Sequence, residues 1–419
     1  MPTIDEFKRL KTYACRIRRI AYLPYVRHKD TNVPQDQRAL SALLFYPDFL
    51  DQPLFPNLRQ LEFVNAKHAI HCLKTFLLTK TISLSLFWDD SGPDIRFNPA
   101  LRDLFLIIEH HALNMEELDL GSFQSGVVMN TIQGPQDLSA LMCKMSELRG
   151  LATGSRSLNL DALRHLASLP RLHKLQISNT SKDILESIRT PHCAVFSELQ
   201  QLTLHETDIP SFTRLIARLK PLRLQALTLF IEPNPTAAEI HSIFSVLEKS
   251  TQHVNLHRVV LKLLWREADN TVPYRRGDSI IDGSILEPLL SFRNLTVVEL
   301  NLPCAFDIGD EQVRAMAEAW PRLRRLQLGS LIGRWEAPSV TCTGILSLVR
   351  NCRELEYLAL PFNGSGDSVP LRSSLTPADV NKRITYLHVG NGETKSVYTE
   401  RVLQFLRYIF PRLCGIEGK

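Results

Sequence analysis

The fold is decided by the stretch "WPRLRRLQLGS" (Trp320 to Ser330), because its residue pattern recurs along the chain. Related stretches are "FPNLRQLEFVN" from Phe55, "LPRLHKLQISN" from Leu169 and "FPRLCGIEG" from Phe410. Each contains Leu-x-x-Leu-x-Leu or a close variant, whose last two apolar residues alternate with polar ones as a half-buried β-strand requires. The aromatic residue or leucine and the proline before it are typical of a helix that ends against a core. We interpret the stretch as a junction between a helix and the next strand.

The same apolar spacing recurs between and beyond these stretches. Its copies begin at Leu58, Met115, Leu172, Leu199, Leu224, Leu256, Leu295, Leu323, Leu355 and Ile384. They follow one another about every 30 residues on average, slightly above the length of a leucine-rich repeat. Segments with helical apolar spacing lie between them, for example "PSFTRLIARL" from Pro210 and "DEQVRAMAEAW" from Asp310.

One helix and strand cannot bury their own apolar faces, so neighbouring units must stack. The sequence therefore predicts an α/β leucine-rich repeat solenoid, a curved horseshoe with a parallel sheet on the concave face and helices on the convex face. A doubly wound α/β sheet is the competing architecture, but it does not predict a strand pattern repeated this often. We expect residues 1–419 to form a single domain.

Two segments of this domain differ from the repeats. Residues 1–22 are expected to form an N-terminal capping helix and the first strand, since apolar residues interleave there with a run of Lys and Arg on one helical face. The alternative for that run, a nucleic-acid or membrane patch, is less favoured. Residues 263–284 are polar and contain Pro and Gly, which predicts a long loop insertion.

Composition excludes several classes of protein. The chain has 419 residues, 44% of them hydrophobic, and a formal charge of only +5, so we expect a folded protein without a nucleic-acid partner. Apolar runs such as "LFLII" (Leu104 to Ile108) are far shorter than the roughly 18 residues of a membrane span, and the first residues do not resemble a signal peptide. We expect no membrane association and a cytoplasmic or nuclear location.

Catalytic, cofactor and metal sites are not predicted. The 8 cysteines are dispersed without a Cys-x-x-Cys pair, and we interpret them as reduced thiols in the core. "GDSIIDGS" (Gly277 to Ser284) resembles the nucleophile block of Gly-Asp-Ser esterases, but none of the 13 histidines follows an Asp by three residues, as that chemistry needs. We therefore expect a non-catalytic protein, with an esterase that uses Ser279 as a remote alternative.

The repeats resemble those of basidiomycete fungal leucine-rich repeat proteins of the F-box type. The opening "FKRLKTYACRIRRIAY" (Phe7 to Tyr22) and junctions such as "FPNLRQL" carry that likeness. It implies a protein-recognition solenoid similar to the substrate-receptor part of an SCF-type ubiquitin ligase. The F-box motif itself is absent from these residues, and the first Trp is Trp88. A ligase adaptor is thus an expected partner only if an F-box lies upstream, and a stand-alone binding scaffold or inhibitor is the alternative.

Strand alternation also predicts the residues that bind a protein partner. Residues beside the apolar strand positions should line the concave face. We expect the partner site on its C-terminal half, where Arg and aromatic residues, which are enriched in interface hot spots, are grouped. The predicted residues are Arg258, Lys262, Arg325, Tyr357, Tyr386 and His388. Changing Arg325 to Glu together with Tyr357 and Tyr386 to Ala is expected to abolish binding with little effect on the melting temperature.

Overall fold

A computed structural model describes residues 4–22, 55–64, 81–87, 105–110, 114–121, 136–154, 158–178, 196–219, 222–231, 235–263, 280–302, 304–329, 339–363, 369–389 and 399–417. The chain divides into two compact units. The first unit contains the described residues up to Glu198, and the second contains those from Leu199 onward.

In the first unit, the described strands follow one another in chain order and pair in parallel. They are β1 (Arg19–Tyr22), β2 (Gln60–Val64), β3 (Ser83–Phe87), β4 (Glu117–Asp119), β5 (Gly150–Ala152) and β6 (Lys174–Ser178). The helices with both ends described are α1 (Ile4–Ala14), α2 (Gln136–Lys144) and α3 (Leu160–Ser168), and residues 105–110 are also helical. A helix and a strand therefore lie within residues 1–22, while the capping role of α1 stays a prediction.

The second unit repeats the arrangement with more strands. Its main sheet contains, in order, β7 (Gln201–Thr207), β8 (Ala226–Ile231), β9 (Arg258–Leu263), β11 (Val297–Asn301), β13 (Arg325–Leu328), β14 (Tyr357–Ala359), β15 (Tyr386–His388) and β16 (Gly415–Glu417). A second, two-stranded sheet pairs β10 (Ile280–Asp282) with β12 (Ala305–Asp307). The helices are α4 (Ile209–Arg218), α5 (Ala237–Ser250), α6 (Gly283–Leu286), α7 (Asp310–Ala319), α8 (Cys342–Asn351) and α9 (Glu400–Ile409). Short 3₁₀ helices span Glu287–Ser291, Arg372–Ser374 and Pro377–Asp379.

The parallel strands alternate with helices that pack on one another in chain order: α2 on α3, α4 on α5, and α7 on α8. This regular α/β alternation confirms the predicted leucine-rich repeat solenoid class. The predicted single domain over the whole chain stays a prediction.

The core consists of the apolar residues of the repeated pattern. In the copy that contains β13, Leu323 and Leu326 are fully buried and Leu328 is nearly so. Helices add their apolar stripes to the same core: on α5, Ile243 and Phe244 are completely buried. Most described copies bury the same positions, whereas Val389, Leu413 and Ile416 near the C-terminal end are half-buried.

The junction predicted at Trp320 has the expected geometry. Helix α7 ends at Ala319, and the side chain of Trp320 is fully buried. Its indole Nε1–H donates a hydrogen bond of 3.1 Å to the carbonyl oxygen of Leu289, and the Leu323 N–H donates one of 3.0 Å to the Trp320 carbonyl. The buried aromatic residue therefore ends the helix and anchors the turn into β13, as the sequence predicts.

Two expectations need adjustment. Strand β9 ends at Leu263 and β10 begins at Ile280, so ordered elements reach into both ends of the predicted loop 263–284. Its middle, residues 264–279, lies outside the described residues, and the loop there stays a prediction. The expectation that the cysteines lie in the core is confirmed for Cys304, Cys342 and Cys352, which are buried. It was wrong for Cys15, Cys143 and Cys414, which are exposed.

One carboxylate links two successive helices of the second unit. Asp310, the first residue of α7, accepts hydrogen bonds at Oδ1 from the N–H groups of Thr341 (2.7 Å) and Gly344 (3.0 Å), and at Oδ2 from the Thr341 hydroxyl (2.5 Å). Thr341 and Gly344 begin α8, whose first N–H groups lack partners within the helix. A Cβ on Gly344 would lie only 2.5 Å from Asp310 Oδ1. A side chain at this position would therefore push against the Asp310 carboxylate of the neighbouring repeat.

We expect Asp310→Ala to lower the free energy of unfolding by about 1–3 kcal/mol, because it leaves the donors at the start of α8 without their acceptor. Gly344→Ala should have an effect in the same direction, because its methyl group displaces the carboxylate. The matched control is Glu311→Ala in the same helical turn, whose exposed carboxylate lies 3.6 Å from the guanidinium of Arg314. The melting temperatures of the variants are measured by thermal unfolding. Equal melting temperatures for the Asp310 and Glu311 variants would contradict the stabilising role of Asp310.

Candidate partner-binding site

The outward-facing side chains of the second unit form columns, because paired residues on neighbouring parallel strands point to the same side. The first column holds Gln201, Ala226, Arg258, Val297, Arg325, Tyr357, Tyr386 and Gly415. The second holds Thr203, Thr228, Val260, Glu299, Gln327, Ala359, His388 and Glu417, and the third holds His205, Phe230, Lys262 and Asn301. We call these columns the outward face of the second unit.

A buried carboxylate lies in the middle of this face. Glu299 on β11 has only 6% of its side chain exposed, yet it is paired on both sides. Its Oε2 lies 3.2 Å from the Nζ of Lys262 on β9, and its Oε1 accepts a hydrogen bond of 3.1 Å from the Nε of Arg325 on β13. Neighbouring strands thus supply one cation each, and both side chains reach diagonally toward the carboxylate.

The cations outweigh the cost of burying that charge. Burial raises the pKa of the Glu299 carboxyl. The positive charges of Lys262, Arg325 and Arg258 together lower it by more than burial raises it, so the pKa lies below the ordinary value of a glutamate. Glu299 is therefore ionised at neutral pH. Its contribution to stability is present above the ordinary pKa of a glutamate and is lost as the pH falls through the lowered value.

Aromatic rings continue the contacts beyond Arg325. The guanidinium carbon of Arg325 lies 4.2 Å from the centre of the Tyr357 ring on β14, within the range of a cation–π interaction. The Tyr357 ring in turn lies 5.2 Å from the His388 ring on β15. Side chains of five successive strands therefore touch in one row, which we call the contact row: Lys262, Glu299, Arg325, Tyr357 and His388.

Tyr386 lies at the exposed side of the contact row. It is 47% exposed, and its ring lies beside Gly415 on β16, where a Cβ would be 3.6 Å from two ring carbons. Glycine at that position leaves the neighbouring strand without a side chain next to the ring. Tyr386 therefore presents both an apolar ring and a hydroxyl at the surface of the outward face.

A second aromatic pair lies at the start of the face. His205 on β7 stacks on Phe230 on β8, with 4.2 Å between ring centres and 9° between ring planes. Burial lowers the pKa of His205 to about 4, so the imidazole is neutral at physiological pH. Because an unfolded histidine titrates near 6.5, this residue opposes folding increasingly as the pH falls below that value.

The structure brings the predicted site residues onto one face. Lys262, Arg325, Tyr357 and His388 belong to the contact row, Tyr386 lies beside it, and Arg258 acts on Glu299 through its charge. Their role in binding a partner stays a prediction. The sequence interpretation missed Glu299, which the segment "VVELN" places at an outward strand position. A lone acidic residue between two basic strands was the signal that could have identified it.

The first unit has a weaker cluster on its own strands. Arg19 on β1 pairs with Glu62 on β2 at 3.2 Å, but the arginine side chain is 66% exposed. Burial raises the pKa of Asp119 on β4, and the charge of Lys174 on β6 partly counteracts that rise. Exposed pairs of this kind contribute little stability, and no contact row comparable to the one around Glu299 occurs in the described part of this unit.

Other chemistry finds no support in the part of the chain that the structure describes. No group of three or more His, Cys, Asp or Glu side chains there could hold a metal ion. No helix there is long and apolar enough to cross a membrane. Ser279, the nucleophile of the esterase alternative, lies outside the described residues. The nearby Asp282 accepts hydrogen bonds from Ser284 and Ile285 N–H groups and thus serves as the N-cap of α6.

The chain was compared with protein-family models, curated proteins and solved structures. No protein-family model and no curated protein matches the chain. Among solved structures, it is similar to the one described as "Crystal structure of PEPR1-AtPEP1", with 14% identity, a TM-score of 0.31, and coverage of 81% of this chain and 42% of that chain. It is also similar to "Plant peptide hormone receptor RGFR1 in complex with RGF2", with 13% identity, a TM-score of 0.29, and coverage of 88% and 57%. The chain spans about half the length of these structures.

The pairing of Arg325 with Glu299 changes one sequence-based expectation. Arg325→Glu would place a second carboxylate against the buried one, so the triple change that contains it should destabilise the fold. For Arg325→Glu alone we expect a loss of about 1–3 kcal/mol at neutral pH. The loss should shrink as the pH falls toward 4, because protonation of the carboxylates removes their repulsion.

Arg324→Glu is the matched control for this prediction. Arg324 is the adjacent residue, and its guanidinium pairs with Glu354 at the surface, where both side chains are largely exposed. Urea unfolding at several pH values should show a smaller loss for this variant. A loss for Arg325→Glu that equals the control, or that does not change with pH, would contradict the pairing.

Proposed function

We propose that this protein is a non-catalytic recognition solenoid that binds a protein partner on the outward face of its second unit. The contact row is the observation that supports this proposal. It joins two cations, a buried carboxylate and two aromatic rings across five successive strands, and each is held by its neighbour. Such a surface is ordered before binding, so little side-chain entropy is lost when a partner binds.

The residue types also suit a protein interface. Arg and Tyr are enriched among hot spots because they combine a large contact area with directed hydrogen bonds. Arg258 and Tyr386 are both exposed on this face, next to the contact row. A partner that covers several strands can therefore reach the charged and the aromatic parts together.

The more specific function that we propose is that of a substrate receptor of an SCF-type ubiquitin ligase, as the fungal F-box resemblance implies. The alternative is a stand-alone scaffold or inhibitor that uses the same face without ubiquitin transfer. Both fit a cytoplasmic or nuclear location, where cysteines stay reduced, as the free thiols of Cys304, Cys342 and Cys352 in the described structure are.

The test is affinity purification of the protein, expressed from its own gene, with and without Arg258→Ala and Tyr386→Ala together. These changes remove exposed side chains and leave the bonds of Glu299 in place, so the melting temperature should change little. The matched control changes the same residue types on helices, Arg407→Ala with Tyr13→Ala, both exposed. We expect a partner that the control retains and the double variant loses.

The proteins that purify with this chain distinguish the receptor function from the scaffold function. A ligase adaptor and cullin in the purified complex would support the receptor function, whereas a partner without them would support the scaffold. A partner that both variants retain would contradict binding on the outward face.

A further inference from the structure

We propose that the outward face of the second unit recognises an acidic stretch of polypeptide, with carboxylates of the partner bound by Arg258, Lys262 and Arg325. This inference rests on the proposed function and names the chemistry of the partner. It depends on three observations: the balance of charge around Glu299, the donors left available there, and the aromatic side chains next to them.

The charge around Glu299 is unbalanced. Three cations, Arg258, Lys262 and Arg325, act on one buried carboxylate, so the cluster has a net charge of about +2. The carboxylate is 6% exposed, whereas the side chains of Lys262 and Arg325 are 34% and 44% exposed. The negative charge thus lies beneath the surface and the positive charges lie at it. An approaching ligand therefore meets a positive surface.

The cations also keep hydrogen-bond donors for a ligand. Arg325 donates from Nε to Glu299, and among the described residues no acceptor bonds to its two Nη groups. Arg258 acts on Glu299 through its charge, without a hydrogen bond between them in the described structure. Guanidinium groups bind carboxylates through paired N–H donors, so these two arginines suit carboxylate side chains.

The spacing favours an extended peptide rather than a single small anion. Arg258 and Arg325 occupy the same column on β9 and β13, with β11 between them, so their main chains lie about 10 Å apart. An extended chain rises about 3.3 Å per residue, which places carboxylates a few residues apart against the two guanidinium groups. Tyr386 follows on β15 and presents its exposed ring to an apolar or aromatic residue next to the acidic ones.

Because Glu299 neutralises part of the positive charge, removing its charge should strengthen the binding of an acidic peptide. Glu299→Gln keeps the shape and one acceptor oxygen of the side chain but removes its charge, so the cations become more available and the net charge rises. An acidic peptide should therefore bind about threefold more tightly to this variant, while Arg258→Glu should weaken binding about tenfold. Lys262→Gln should weaken it to a smaller extent.

The experiment measures fluorescence anisotropy with a short labelled peptide of repeated Glu-Glu-Phe, at low and at high salt. Peptides with Gln or Lys in place of Glu, and a labelled oligouridylate, are the controls. We expect tight binding of the acidic peptide only, and we expect salt to weaken it. Glu299→Gln should bind this peptide more tightly than the unchanged protein, and Arg258→Glu should bind it more weakly. Stronger binding of the oligouridylate, or equal binding of the Gln peptide, would overturn the inference, as would weaker binding by a Glu299→Gln protein that has a normal melting temperature.

A selection from a random displayed peptide library separates this inference from the proposed function. If the selected peptides are acidic and are lost on a protein with Arg258→Glu and Tyr386→Ala, both stand. If they depend on these residues but are not acidic, the proposed function stands and the inference is wrong. If no selected peptide depends on these residues, both are wrong.

Discussion

One main-chain interaction between neighbouring repeats aligns the strands that carry Arg258, Arg325 and Tyr357. The residue before a strand offers its carbonyl oxygen to two consecutive N–H groups of the next repeat. The carbonyl of His257 accepts from Thr296 and Val297 at 2.8 and 3.1 Å, and that of Thr296 accepts from Arg324 and Arg325 at 2.8 and 3.0 Å. The two residues between the first and second apolar positions of the pattern are thus the donors.

This sharing fixes the register of the sheet. Because side chains alternate between the two faces of a strand, a shift of one residue would bury the outward residues and expose the apolar ones. From β8 to β14 the shared carbonyls align the first residues of the main-sheet strands, and they place Arg258, Arg325 and Tyr357 in one column. The buried apolar residues then hold the strands in that register. The same register therefore determines which residues are buried in the core and which lie on the outward face.

The sequence predicts the features that depend on local pattern. Alternation and helical spacing place the strands, the junction at Trp320 and the outward residues, because each is decided within a few consecutive positions. The sequence does not predict the pairing of Glu299, since Lys262 and Arg325 approach it diagonally from two separate strands. For the same reason it misses the contact of Asp310 with Thr341 and Gly344, which joins residues about 30 positions apart in the chain, one repeat period. It also misses the exposure of Cys143 on α2, where the packing of the helix decides which side meets solvent.

The buried carboxylate of Glu299 holds the side chains of the contact row in place. A carboxylate with little exposure must keep its partners, because an unpaired buried charge is costly. Lys262 and Arg325 are consequently held in place before any ligand arrives, and Arg325 in turn holds Tyr357. Side chains fixed on strands in this way preserve a binding geometry better than side chains on loops.

The shared carbonyl is tested most directly by hydrogen exchange at single amides, measured by NMR or by mass spectrometry with overlapping fragments. If one carbonyl of the preceding repeat accepts two N–H groups, the amides of Arg324 and Arg325 should be protected as strongly as that of Trp320, which closes α7 through the carbonyl of Met316 at 2.9 Å. We expect equal protection for the two consecutive amides. Rapid exchange at Arg324 or Arg325, with α7 still protected, would contradict the shared bond and the register that depends on it.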